Sequence, residues 1–243
     1  MTIMLFHPYF YFSIIKIGNK MKILMKSANY PLECHDEFVK ELKPGDIVCR
    51  YLNYSWKLHH MGIYCGPRKD PHPVLKEHLE KPDLELTCPE CGKNLPSTDC
   101  EHDIHVVAEL TYACDGTESG FAAVACFRKK ENQFRSVYRL CGLKEFMQET
   151  GALKWNFYDE DDYHIRIRAC RTPLHVDEIL RRALHAVANP QNEDEYDAIY
   201  YNCEHFVSWC RYGVKVSIQT EKIAKKVFAT GFLILTALFK AFL

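Results

Sequence analysis

Residues 196–213 read YDAIYYNCEHFVSWCRYG, and this stretch decides the fold. Ala198 to Tyr201 form a short apolar run with strand character. Asn202 then suits a helix cap, because its side-chain oxygen can accept first-turn backbone N–H groups. Cys203 falls in the first turn, and Gly213 is placed to end the helix, since glycine readily takes the left-handed conformation. A cysteine in a first helical turn is either packing or chemistry. Unpaired amides and the helix dipole at that end favour the thiolate, which is the attacking form. A nucleophile also needs a base, and the base has to come from elsewhere in the chain.

Working outward, residues 57–66 read KLHHMGIYCG. Ile63 and Cys65 alternate with Gly62 and Tyr64, and Gly66-Pro67 ends the run, which predicts a strand over 60–65. Before it, Pro44-Gly45-Asp46 forms a turn that leads into a strand from Ile47 to Tyr51. After it, residues 67–104 turn polar, with Pro67, Pro71, Pro73 and Pro82 ahead of CPECG, the composition of an insertion rather than a core element. HVVAELT over 105–111 resumes a strand, and FAAVACFR over 121–128 is apolar enough for another. Tyr163, Ile165 and Ile167 alternate with His164, Arg166 and Arg168, the pattern of a half-buried strand. A helix follows, with Thr172 as cap, Pro173 at its first position and Asn189-Pro190 as its stop. Its apolar residues, among them Ile179, Leu180, Ala183 and Leu184, share one face.

Asn202-Cys203-Glu204-His205-Phe206 with Arg211-Tyr212-Gly213 resembles the NCEHF…RYG signature of the lecithin:retinol acyltransferase-like family. His60-Met61-Gly62-Ile63-Tyr64-Cys65-Gly66 resembles that family's other box, a strand that begins with the catalytic histidine. Pro44-Gly45-Asp46 and the order of strand, helix and cysteine helix resemble it too, over roughly Leu42 to Gly213. The resemblance implies an α+β chain with a circularly permuted papain-like fold, an antiparallel sheet packed on helices, with Cys203 as nucleophile and His60 as base. It also implies a phospholipid substrate, an acyl-thioester intermediate, and phospholipase A or acyltransferase output. Backbone N–H groups at the start of the Cys203 helix are candidate oxyanion donors.

Most family members carry a second histidine on the next strand to orient the first. Aligned with that strand, VVAELT puts Glu109 at the position, and a carboxylate can hold an imidazole in the needed tautomer. His105 competes on the same strand face, but four residues of strand span about 13 Å, so only one of the two reaches His60. A buried glutamate bonded to a backbone amide is the plainer alternative for Glu109.

The insertion holds Cys88-Pro89-Glu90-Cys91-Gly92, the turn-forming half of many zinc sites, and Cys100-Glu101-His102 adds two ligands. Cys88, Cys91, Cys100 and His102 suit a tetrahedral structural Zn²⁺, although the one-residue spacer of the second pair is irregular. Cys114, Cys126 and Cys141 are alternative ligands, and free thiols on an irregular insertion are the other alternative. No cofactor is expected for catalysis. Lying between the strands of His60 and Glu109, the insertion is also placed to gate lipid access.

Composition bounds the rest. In 243 residues, 47% are apolar and the formal net charge is −1, which gives no basic footprint for nucleic acid. Twelve cysteines without a clear secretory signal point to a reducing, cytosolic setting. Residues 1–41 are expected to be an N-terminal extension, 42–213 the catalytic domain with its 67–104 insertion, and 214–243 a linker and anchor. Within the last, Val227 to Phe239 carry no charge, and Lys222, Lys225 and Lys226 precede them. That pattern suits a C-terminal membrane anchor, spanning or interfacial, with the catalytic domain on the cytoplasmic face; a buried helix is the alternative. Two other functions remain open: a cysteine amidase or peptidase, and an inactive membrane-tethered binding module.

Overall fold

The computed structural model describes residues 15–17, 20–22, 27, 29–53, 58–81, 86–88, 90–95, 100, 102–113, 135–156, 172–189, 202–217 and 220. In chain order the strands are β1 (Ile15–Ile17), β2 (Lys20–Lys22), β3 (Ile47–Asn53), β4 (Leu58–Pro67), β5 (Leu86–Thr87), β6 (Asn94–Leu95), β7 (His105–Ala113), β8 (Arg135–Gly142) and β9 (Leu153–Lys154). The helices are α1 (His35–Glu41), α2 (Pro73–Leu79), α3 (Leu143–Met147), α4 (Val176–Ala188) and α5 (Cys203–Tyr212).

Five strands form one antiparallel sheet in the order β8-β7-β4-β3-β9. The register sets Ile63 against Ala108, Gly62 against Glu109 and Glu109 against Arg139. Because side chains alternate along a strand, this register divides the core in two. Met61, Ile63 and Cys65 of β4 join a cluster with Leu75 of α2, Leu180 of α4 and Phe206 of α5. Tyr64, two residues on from Gly62, joins the other cluster with Phe38 of α1 and Phe146 of α3. The chain is therefore α+β, with helices on both faces of the sheet. Each large apolar side chain fully buried in this way contributes about 1.5–3 kcal/mol.

Several expectations need correction. Helix α4 begins at Val176 with His175 as its cap, not at Thr172. The reason is tertiary: the Leu174 amide donates to the Arg211 carbonyl at 2.8 Å, which takes it out of the helix and ties it to the end of α5. The insertion is not merely polar excursion. Pro73 starts helix α2, and Leu75 and Leu79 meet the main core, as do Leu86 and Cys88 further on. Its two ends are clasped where Arg68 N donates to the Ile104 carbonyl at 2.8 Å. The edge strand beside β7 is β8, for which no expectation existed. The strands expected over 121–128 and around Tyr163 to Ile167 lie outside the described residues, as does the segment from Val227 to Phe239.

Residues 30–41 pack into the domain. Tyr30 bridges Ala152 through a pair of backbone hydrogen bonds of 2.7 and 2.9 Å, and its ring stacks on Phe38 at 5.1 Å. Among the described residues, no helix is long and apolar enough to cross a membrane.

Candidate active site

Helix α5 starts where its sequence requires. The Asn202 side-chain oxygen accepts from the amides of Glu204 at 3.0 Å and His205 at 3.2 Å, and the His205 ring accepts from the Asn202 amide. This is a capping box with histidine in the place of the usual glutamate. Buried Glu204 accepts a 2.6 Å hydrogen bond from Ser217, and Phe206 packs edge-on against Tyr138 of β8. Cys203 is thereby held in the first turn, buried, with its Sγ 3.9 Å from the His59 carbonyl. At the far end Gly213 takes φ +78° and closes the helix.

His60 meets the site from β4. Its Nε2 lies 2.6 Å from Glu109 Oε2, and both side chains are buried. Since Glu109 takes Nε2, Nδ1 is the nitrogen left for the Cys203 thiol, which acts on the ring to raise its pKa. Gly62 stands opposite Glu109 on the neighbouring strand, so no side chain separates the carboxylate from the imidazole two residues away. A Cβ at Gly62 would lie 2.6 Å from Val107 Cγ1 and 3.3 Å from the Phe146 ring. Phe146 stacks on the His60 ring at 5.5 Å. The second oxygen of Glu109 accepts from Arg139 Nε at 2.7 Å, and Arg139 also pairs with Glu145 at 2.9 Å.

This chain of charges decides the protonation states. Burial opposes a charged imidazole, but the Glu109 carboxylate and the Cys203 thiol outweigh it and hold the His60 pKa up at about 9. Burial also opposes the Glu109 anion, yet His60 and Arg139 together push its pKa down to about 2. The opposite shifts have one cause: two buried groups of opposite charge stabilise each other where water cannot. A thiol, an imidazole and a carboxylate in this order can run nucleophilic acyl transfer, with the imidazole carrying the proton.

The signature residues outside the thiol also have structural work. Arg211 Nη1 donates to the Gly45 carbonyl at 2.7 Å, tying the end of α5 to the turn before β3. Asp46 of that turn accepts from Asn156 at 2.8 Å and lies 3.8 Å from Arg211. The turn, the histidine strand and the cysteine helix thus form one connected unit. The sequence model of the lecithin retinol acyltransferase family matches residues 40–216. This chain belongs to the lecithin retinol acyltransferase family. A comparison with curated protein sequences gives no match. Membership of the lecithin retinol acyltransferase family points to an acyltransferase- or phospholipase-like thiol enzyme.

Cys203, His60 and Glu109 come together, whereas His105 does not join them: its Nδ1 bonds the Tyr64 hydroxyl at 2.6 Å. The expected oxyanion donors need revising, because Asn202 already holds the Glu204 and His205 amides. The Cys203 amide is the helix-start donor that the cap does not take. Sequence reasoning missed Arg139 and Phe146. The run from Val137 to Cys141, apolar except for Arg139, was a readable strand signal for the first; α3 is too short to leave a periodic trace. Cys88, Cys91, Cys100 and His102 also converge, with one ligand atom from each inside 4.8 Å of the others. Of the alternative ligands, Cys141 packs in the α1 and α3 core instead, and Cys114 and Cys126 lie outside the described residues.

Proposed function

We propose that the chain is a cysteine-dependent acyl-transfer enzyme acting on glycerophospholipids at the cytoplasmic face of a membrane. The observation that carries this reading is the buried His60–Glu109 pair at 2.6 Å beside Cys203, in a family of acyl-transfer enzymes. Chain order supports a circularly permuted papain-like arrangement. In papain the cysteine precedes the histidine, whereas here His60 precedes Cys203.

In the first step Cys203 Sγ attacks an ester carbonyl carbon with the thiol proton already held on the His60 imidazole, which the raised His60 pKa keeps protonated at neutral pH. The oxyanion is stabilised by the Cys203 amide, which the helix cap leaves available. The tetrahedral intermediate collapses, the C–O bond breaks, and His60 returns the proton to the departing lysolipid oxygen. The acyl group remains on Cys203 as a thioester. Water, or the amine or hydroxyl of an acceptor, then attacks the thioester carbonyl and gives its proton to His60. Collapse expels the Cys203 sulfur, which recovers the proton, and the product is a fatty acid, an amide or an ester. Glu109 stays ionised throughout and stabilises the imidazolium, as the third member of a triad does. Residues 227–239 hold the domain against lipid, which raises the effective substrate concentration.

The test is incubation of the full chain with diacyl phosphatidylcholine vesicles, beside Cys203→Ala, with lysolipid and fatty acid measured over time. Product from the unaltered chain alone supports the reading. Turnover of peptide or amide substrates with no lipid product would move the assignment to an amidase.

A further inference from the structure

We propose that Cys88, Cys91, Cys100 and His102 hold a structural zinc ion that fastens the insertion to the helix stacked against His60. Cys88 Sγ lies 3.6 Å from His102 Nδ1, Cys91 Sγ lies 3.6 Å from Cys100 Sγ, and Cys100 Sγ lies 3.8 Å from His102 Nδ1. Zinc bound at about 2.3 Å to sulfur and about 2.0–2.1 Å to nitrogen sets tetrahedral edges of about 3.5–3.8 Å. These three of the six separations have that size, and all four ligand atoms lie within 4.8 Å of one another.

Local structure explains the convergence. Cys88 and Cys91 sit at the tip of the β5–β6 hairpin, where Gly92 N donates to the Cys88 carbonyl and Cys88 N to the Lys93 carbonyl. Gly92 takes φ +68°, the left-handed turn that brings two cysteines three positions apart onto one point. Cys100 is anchored from behind, since its carbonyl accepts from Arg68 Nη1 at 2.9 Å. The one-residue spacer to His102 ceases to be irregular once Nδ1 is the ligand, because Nδ1 lies nearer the backbone than Nε2.

The other ring nitrogen carries the second half of the argument. His102 Nε2 faces Glu90 Oε2 at 3.3 Å, and a metal-ligating histidine usually gives its remaining N–H to a carboxylate. Glu90 Oε1 in turn accepts from Lys144 Nζ at 2.6 Å. Lys144 belongs to α3, the helix of Phe146, so the cluster is linked through Glu90 to the wall of the candidate active site. Three thiolates and an imidazole close the coordination shell with no open position, the mark of a structural site rather than a catalytic one. A Cys91–Cys100 disulfide is the competing use of two of these thiols. It leaves the approach of Cys88 and His102 without a reason.

This inference is independent of the acyl-transfer reading. The full chain, expressed with zinc in the medium, is to be assayed for metal by elemental mass spectrometry and for disulfides by intact mass. One zinc per chain and no disulfide are expected. Exchange with Co²⁺ is expected to produce intense visible absorption of a tetrahedral thiolate site. Cys91→Ser, at the exposed ligand, is expected to abolish that spectrum. Glu90→Gln, which leaves all four ligands, is expected to weaken zinc affinity about 10- to 100-fold. A folded, metal-free chain overturns the proposal, as does a Cys91–Cys100 disulfide or the weak spectrum of six-coordinate Co²⁺.

Discussion

Glu109 Oε2 lies 2.6 Å from His60 Nε2, one strand across in the sheet interior, and the register that permits this runs through side-chain-free Gly62. A carboxylate thus takes the place where most relatives are expected to carry a second histidine. It makes the imidazole more basic than a neutral partner would.

Glu109→Gln keeps the shape and removes the charge. The expected outcome is a loss of about 10²–10⁴-fold in kcat, the range of a positioned acid–base group. The alkaline limb of the rate profile, at about pH 9 from the His60 pKa, is expected to move toward neutrality. His105→Gln, altering the residue bonded to Tyr64, is expected to leave that limb in place. Steady-state kinetics across pH on phosphatidylcholine decides it.

The same pair ties stability to pH. The folded His60 pKa of about 9 lies above the ordinary value of about 6.5, so its contribution is complete below pH 6.5 and is lost as pH rises through 9. Glu109, lowered to about 2, contributes above its ordinary value of about 4.3 and loses that contribution as pH falls toward 2. Melting temperature is therefore expected to fall above pH 7 more steeply in the unaltered chain than in His60→Gln.

Arg139 holds the second oxygen of Glu109 and braces it to Glu145. Arg139→Gln is expected to lower kcat several-fold with little change in KM, and Arg139→Lys to recover part of the loss. A rise in KM alone, with kcat intact, contradicts a positioning role.

Gly62→Ala places a methyl group 2.6 Å from Val107 Cγ1 and against Phe146. Overpacking of this kind costs about 1–3 kcal/mol, visible in urea unfolding. Asn202→Ala, which removes the oxygen capping two amides, is expected to cost about 0.5–2 kcal/mol.

Removing residues 221–243 is expected to release the protein from vesicles in a flotation assay. Activity on detergent-dispersed lipid is expected to persist, because the catalytic groups all lie before that segment.

Much of the site was legible because its residues sit in strongly marked local structure. Asn202 and Gly213 are cap residues whose chemistry is local, so the limits of α5 could be read from them. The strand of His60 was visible in its alternation, and Glu109 followed from aligning VVAELT with the family's corresponding strand. What escaped depends on tertiary contacts. The start of α4 is set by Leu174 bonding to Arg211, which no local rule contains. Leu75 and Leu79 reach the core from a segment whose overall composition is polar. Phe146 matters only because Gly62 leaves room for it.

The central claim is a covalent acyl group on Cys203, and intact mass after brief exposure to diacyl phosphatidylcholine tests it most directly. The account predicts a mass gain of one acyl chain, removable by hydroxylamine and missing in Cys203→Ala, or, where turnover outruns capture, lysolipid and fatty acid that depend on Cys203. An unmodified chain with no lipid product contradicts it.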